Sequence, residues 1–264
     1  MRSSGSPRIN VRYEKAQQHI EKFESGISRL GPELDENPTP KRASELHTCP
    51  SGDKFGIGLC KILQGDSGEA QQWLSRGASH ELEVYRAYQR YAIEDWDQRH
   101  WSSEPIYLLE PFYKALVAED EELLEDIVSA VSELSSEPEA EHDALYRYYL
   151  VKTIDALVRD APVSEQREYV QGIRSAAAKA RPELQEYFTA FATALEGIVE
   201  CEKPLFRRGI ELTLREHDDN VDGEPQGPQQ WLDYRSMALL VLARRNGLSV
   251  DVESPYLPSG FPQE

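Results

Sequence analysis

The stretch PELQEYFTAFATALEGIVECEKPLFRRGIELTLREHDDN (residues 182–220) decides the fold. Each proline opens a run whose apolar residues recur at helical spacing. Leu184, Tyr187, Phe188, Phe191, Leu195, Ile198 and Val199 follow Pro182, and Leu205, Phe206, Ile210 and Leu214 follow Pro204. Proline fixes its own φ and lacks an N–H, so it suits the first turn of a helix and damages the interior. A proline every 20 to 24 residues, at Pro138, Pro162, Pro182, Pro204 and Pro228, therefore predicts a regular series of helix starts.

The same pattern extends to both sides. Pro138 precedes Leu145, Tyr148, Ile154 and Leu157, and Pro162 precedes Tyr169, Val170 and Ile173. Asp120 is the predicted N-cap of a helix over 121–134, with Glu121 and Glu122 where the dipole favours acids. After Pro228 comes an unbroken apolar run, Met237 to Ala243, and a helix apolar on all sides belongs in the middle of a fold. Arg244, Arg245 and then Gly247 predict its end. Residues 248–252 (LSVDV) alternate, which suits a short extended piece, and three later prolines keep the tail non-helical.

The N-terminal part is less regular. Residues 1–7 read as flexible. Residues 8–30 read as a helix stopped by Gly31-Pro32, and residues 31–52, with four prolines, as a long connection. Residues 54–63 read as a short helix, and 67–100 as a long helical stretch with a break near Gly77. Pro111 either kinks a helix or opens a second one. The expected architecture is all-α: an irregular stack of antiparallel helices, solenoid-like but closed into one domain over 8–264. A subdivision near 101–105 and a short extended C-terminal tail complete the expectation. Two proline intervals match the length of helix-pair repeats, but no consensus repeats.

Composition restricts function. Acids outnumber bases 47 to 29 in 264 residues, a formal charge of −18. Nucleic-acid binding needs Lys and Arg against phosphate, so this surface excludes it on average. It attracts basic partners instead, or serves solubility in salt. Three cysteines without a CxxC pair point to free thiols in a reducing compartment. Neither a secretory leader nor a membrane-length apolar run is present in the sequence, so the expected location is cytoplasmic, with no membrane partner.

No catalytic constellation emerges. Glu141-His142-Asp143 and Glu216-His217-Asp218 place adjacent residues in different directions on a helix, so neither makes a metal site alone. Asp218, Asn220, Asp222 and Gly223 begin like a calcium loop, but Pro225 interrupts it and Gln229 stands where a bidentate Glu belongs. The glycines of 52–68 lack the GK[ST] of a phosphate loop, and Cys60 sits in an apolar segment. No catalytic residue, metal ligand or cofactor is assigned. The acids of 119–126 and 133–143 are the densest. The first set is the wet side of an amphipathic helix. The second offers an anionic docking surface, with Tyr146 and Tyr149 outward and Tyr148 inward.

The ending FRRGIELTLREHDDN, then QQWLDYRSMALLVLARRNGLSVDVESPYLPSGF, resembles the immunity protein 49 family of polymorphic toxin systems. The likeness rests on a helix ending near Glu216-His217, an apolar helix closed by Ala-Arg-x-x-Gly, and the final Pro255–Pro258 motif, and it covers roughly 105–262. It implies an all-α, non-enzymatic protein that binds and occludes a cognate toxin, such as a basic nuclease. The candidate docking residues are Glu133, Glu137, Glu139, Glu141 and Asp143, with Asp218, Asp219 and Asp222 second. A helical scaffold for some other protein or peptide is the alternative, and an enzyme a distant third.

Overall fold

The computed structural model describes residues 7–35, 40–95, 105–134, 142–221, 223–259 and 261. Its helices are α1 (Pro7–Asp35), α2 (Pro40–Gln64), α3 (Ser67–Asp95), α4 (Ile106–Ala118), α5 (Glu121–Ser132), α6 (His142–Val158), α7 (Val163–Ala177), α8 (Pro182–Val199), α9 (Lys203–Asn220), α10 (Pro228–Trp231) and α11 (Tyr234–Arg245). No strand occurs among the described residues, so the fold is all-α. The proposed flexible N-terminus and the subdivision near 101–105 fall largely outside the described residues.

The proline series marks helix starts as the sequence predicts. Pro162 precedes α7, Pro182 and Pro228 open α8 and α10, and Pro204 lies in the first turn of α9. Pro138 lies outside the described residues. Turns of only two to four residues join α2 to α3, α4 to α5, and α6 through α9 in series, so neighbours fold back on one another. The helix ends explain how such short turns work. After α6, α8 and α4, Asp160, Cys201 and Glu119 adopt left-handed φ near 52–54°. The next amide reaches back five residues: Ala161 to the Ala156 carbonyl, Glu202 to Gly197, and Asp120 to Ala115. This Schellman geometry satisfies the last carbonyls and reverses the chain at once.

Helix α11 leaves the series and packs against α4, α6, α8 and α9. Every residue from Met237 to Ala243 is at most 2% exposed, as the unbroken apolar run predicts. Gly247 (φ 76°) closes α11, with Gly247 N–H on the Arg244 carbonyl and Leu248 N–H on that of Ala243. One apolar core runs from Phe55 to Leu257, and a smaller cluster joins Ala16, Ile20, Ile57, Cys60 and Trp231. Asp120 caps α5 by accepting from the Leu123 amide at 3.1 Å.

The N-terminal expectations need correction. α1 continues past Gly31-Pro32 to Asp35, and 40–52 is helical within α2 rather than a connection. Pro40 occupies a first helical position, where no N–H is missed, and Pro50 is buried inside α2. α3 passes Gly77 unbroken. A Cβ there would lie 2.8 Å from the Phe55 amide nitrogen, so this glycine marks a close helix crossing, not a break. Pro111 likewise sits inside a continuous α4. Residues 248–252 keep alternating burial but form no strand pairing among the described residues.

Candidate functional site

Three parts of the chain meet at the end of α9. The Tyr256 hydroxyl donates to Asp218, and the His217 ring stands edge-on to Tyr256 at 4.8 Å. The Asp233 amide donates to the Tyr256 carbonyl at 3.0 Å. Asp233 in turn caps α11 by accepting from the Arg235 and Ser236 amides at 3.2 and 3.3 Å. Buried Ser236 donates its hydroxyl to Asp233 at 2.5 Å and meets the Thr213 hydroxyl at 2.7 Å. Asp233, Ser236 and His217 are the residue types of a nucleophilic triad, but their geometry is different. The serine bonds the aspartate directly. His217 Nδ1 is 3.9 Å from Asp233, and Nε2 faces the Gln230 carbonyl at 3.2 Å. An imidazole that does not touch the hydroxyl cannot activate it, so the cluster is a clasp.

Beyond the clasp, residues 249–258 cross the surface as a strap. On one side lies a cleft of about 1100 Å³ between the strap, the α2–α3 turn and the end of α4. A smaller one of about 270 Å³, lined by Arg207, Glu211 and Leu214, lies on the other side. Asp251 and Glu253 line both clefts and are exposed. These two acids were not among the sequence candidates, although the LSVDV alternation puts Asp251 on the outward row.

The residues singled out from the sequence are placed as follows. Glu133 is exposed just after α5. Glu137, Glu139, Glu141 and Asp222 lie outside the described residues. Asp143 belongs to α6, with its side chain outside the description. Asp218 and Asp219 are exposed in the last turn of α9. α5 packs on α3, α4 and α6, whereas α9 packs on α8 and α11, so the two sets occupy separate parts of the helix array. The tyrosine expectation fails at Tyr146, which is 2% exposed and stacks on Phe188 at 3.6 Å, while Tyr148 and Tyr149 are both half-buried. The Tyr146 face of α6 meets α8.

Several acids elsewhere are tied to other helices. Glu119 pairs with Arg244, Glu121 with Arg245, and Asp126 with Arg86 at 3.4 Å. The calcium-loop reading also loses its geometry, since Asp218 and Asn220 are helical and Asn220 donates back to Glu216 at 3.0 Å. No group of three or more metal-ligating side chains occurs among the described residues. The three cysteines are free, and burial pushes the Cys60 thiol up to about 12, which makes it inert.

Two polar networks lie inside the fold. Lys114, 6% exposed, donates to Glu81 at 2.5 Å and to Ser51 at 3.0 Å. Glu110 accepts from Tyr234 at 2.7 Å and from Arg235 at 2.9 Å. Burial alone would raise the Glu110 carboxyl, but the charges of Arg235 and Lys114 and these two bonds hold it below its ordinary range. The first joins the consecutive helices α2, α3 and α4, the second joins α4 to α11, and neither lines the strap clefts.

No helix among the described residues is long and apolar enough to cross a membrane. The sequence model of the family described as Immunity protein 49 matches residues 77–261. No curated protein and no solved structure matches the chain. The match spans α4 through α11, the clasp and the strap.

Proposed function

The chain belongs to the immunity protein 49 family, and from that premise we propose that it neutralises a cognate toxin by binding it and covering its working surface. As a member it is an immunity protein of a toxin system. Occlusion rather than chemistry is the reading supported by the clasp, whose serine is engaged by an aspartate, and by the inert Cys60.

The observation that carries the reading is the family match over residues 77–261, and the charge of −18 gives it a direction. Such a field draws in a basic partner and speeds its encounter. A basic nuclease is the toxin class that suits it best. Glu133 and Asp143 around the α5–α6 connection, and Asp218 and Asp219 at the end of α9, are the proposed docking acids. Glu137, Glu139, Glu141 and Asp222 are included on sequence grounds. The cytoplasm, where a toxin acts on its own producer, is the proposed location.

The test is co-expression with the toxin encoded beside this chain's gene. Rescue of growth together with a co-purifying complex is expected. Full toxicity with no complex would end the proposal. Rescue without a complex would replace occlusion by an enzymatic mode of protection.

A further inference from the structure

We infer that the 1100 Å³ cleft beside the C-terminal strap receives an extended segment of the toxin in which Lys or Arg alternates with apolar residues. The inference rests on the toxin-binding reading and adds where the toxin docks and by what chemistry.

Three observations converge on this occupant. The first is the cleft's composition. Leu74, Val117, Leu232 and Leu257 form an apolar floor, with half-buried Ile62 and Phe261 at its lip. Its charged lining residues are Glu119, Asp251 and Glu253, with no Lys, Arg or His among them. Arg244 already engages Glu119. Asp251 and Glu253 have no ion-pair partner among the described residues, and both are exposed. A cleft that is apolar below and anionic at the rim selects a ligand that is apolar on one side and cationic on the other.

The second observation is the backbone of the strap. Burial alternates from Leu248 to Glu253: buried, exposed, half-buried, exposed, half-buried, exposed. This two-residue period is that of an extended chain. Residues 249–253 make no backbone–backbone hydrogen bond among the described residues, whereas Leu248 and Leu257, on either side, each donate one. An extended segment with free N–H and C=O groups is an unpaired edge, and adding a strand to such an edge is a recurring way of gripping a peptide.

The third observation is anchorage. The Schellman turn at Gly247 fixes one end of the strap, and the Tyr256 contacts to Asp218 and Asp233 fix the other. The edge is thus held in place before the partner arrives, which lowers the ordering cost of binding. On the outward row, Asp251 and Glu253 are two residues apart, the spacing that meets alternate side chains of a paired strand.

The probe is the isolated, catalytically inactivated toxin domain encoded beside this chain's gene, titrated onto the full-length protein. Asp251→Lys with Glu253→Lys reverses the rim. Val252→Pro removes one edge N–H without changing charge. Glu168→Lys with Glu186→Lys makes the same charge change at exposed acids of α7 and α8. The rim variant is expected to weaken binding tenfold or more and to flatten its salt dependence. Val252→Pro is expected to weaken it tenfold with the salt dependence retained, and the α7–α8 control to stay within threefold. Amides of 249–253 should gain exchange protection in the complex. If wild type binds and the rim variant, folded by circular dichroism, binds equally well, the cleft assignment is wrong and toxin binding stands. If Val252→Pro misfolds, the rim variant and the exchange data decide. If wild type forms no complex, both the reading and the cleft assignment fall.

Discussion

Tyr256 and Asp218, 38 residues apart, are joined by a hydrogen bond from the phenol hydroxyl to the carboxylate, and this bond ties the C-terminal strap to the end of α9. The His217 ring and the Asp233 amide hold the same tyrosine from two further sides. The three elements on which the family resemblance rests therefore meet at one residue. Tyr256→Phe is expected to cost about 1 kcal/mol, the net value of one hydrogen bond, and Tyr256→Ala about 3 kcal/mol through lost packing. Denaturant unfolding measures both. In Tyr256→Phe, amides of 249–258 should exchange faster before those of α11 change. Uniform exchange across the fold would show that the bond does not anchor the strap.

Two pairs of glycines separate close packing from open helix surface. A Cβ on Gly197 would lie 2.3 Å from the Phe206 amide nitrogen, and one on Gly209 would lie 2.3 Å from that of Ala194. Backbone cannot yield as a side-chain tip can, so Gly197→Ala or Gly209→Ala should force α8 from α9 and cost roughly 2–3 kcal/mol. Gly52 in α2 and Gly68 in α3 meet nothing within 4 Å. There alanine should stabilise by about 0.5–1 kcal/mol through helix propensity alone. Thermal melts of the four variants should show opposite signs. A shift of the same sign in all four would remove the close-approach argument.

This division also shows what was legible in the sequence. Periodicity and proline punctuation located α5, α7, α8, α9 and α11, because those helices have a capping residue, a proline start or an apolar stripe that acts locally; the short α10 and the break before Tyr234 were read as part of one helix. They failed in α1 and α2, where Gly31-Pro32 and Pro50 carry strong local signals against a helix. In α2, burial of Leu46, Pro50 and Ser51 in a helix packed on α1 and α3 overrides the local signal. The short helix over 54–63 was legible, but not its close contacts: a Cβ on Gly56 would meet the Phe23 ring and one on Gly58 would meet Leu74. The direction of Tyr146 depends on helix rotation, which a broad apolar stripe on α6 does not fix. The strap was visible as an alternating segment, but the cleft beside it is formed by the α2–α3 turn more than 180 residues earlier, and no local pattern encodes that meeting.

The buried pair of Lys114 and Glu81 gives a third prediction. Lys114 has its ammonium between Glu81 and Ser51, 5.3 Å from the centre of the Phe55 ring. Lys114→Met leaves the Glu81 carboxylate, 15% exposed, without its counter-charge. Removing one member of such a pair is expected to cost about 3–5 kcal/mol, while replacing both by apolar residues of similar volume costs far less. Lys114→Met with Glu81→Leu should therefore be more stable than Lys114→Met alone. A double-mutant cycle from urea midpoints checks the order. Additive losses would mean that the pair is solvated and uncoupled.

The last prediction concerns acid. Lys54 Nζ is 2.5 Å from His80 Nε2, and His80 Nδ1 is 2.9 Å from His47 Nδ1. Neutral His80 satisfies both contacts if Lys54 donates to Nε2 and His80 donates its Nδ1 proton to His47; the tautomer follows from these contacts. Burial and then the Lys54 and His47 charges push His80 down to about 4, against an ordinary 6.5, with Glu83 opposing them. Burial, followed by the Arg76 charge, also lowers Lys54. Between pH 6.5 and 4 the unfolded chain therefore holds a proton at His80 that the folded chain does not. Stability from this group is complete above pH 6.5 and is lost as pH falls towards 4, by about 2 kcal/mol once partial exposure is allowed for. Buried Asp155 is raised by its burial, against the pull of Arg159, and titrates in the opposite sense, so the wild-type curve alone does not isolate His80. His80→Gln keeps an acceptor for Lys54 and a donor for His47 while removing the titration. The difference between wild type and His80→Gln in unfolding free energy should be flat above pH 7 and should turn in favour of the variant between pH 6.5 and 4. Parallel curves across that window would place the His80 proton affinity at its ordinary value and break the Lys54–His80–His47 chain.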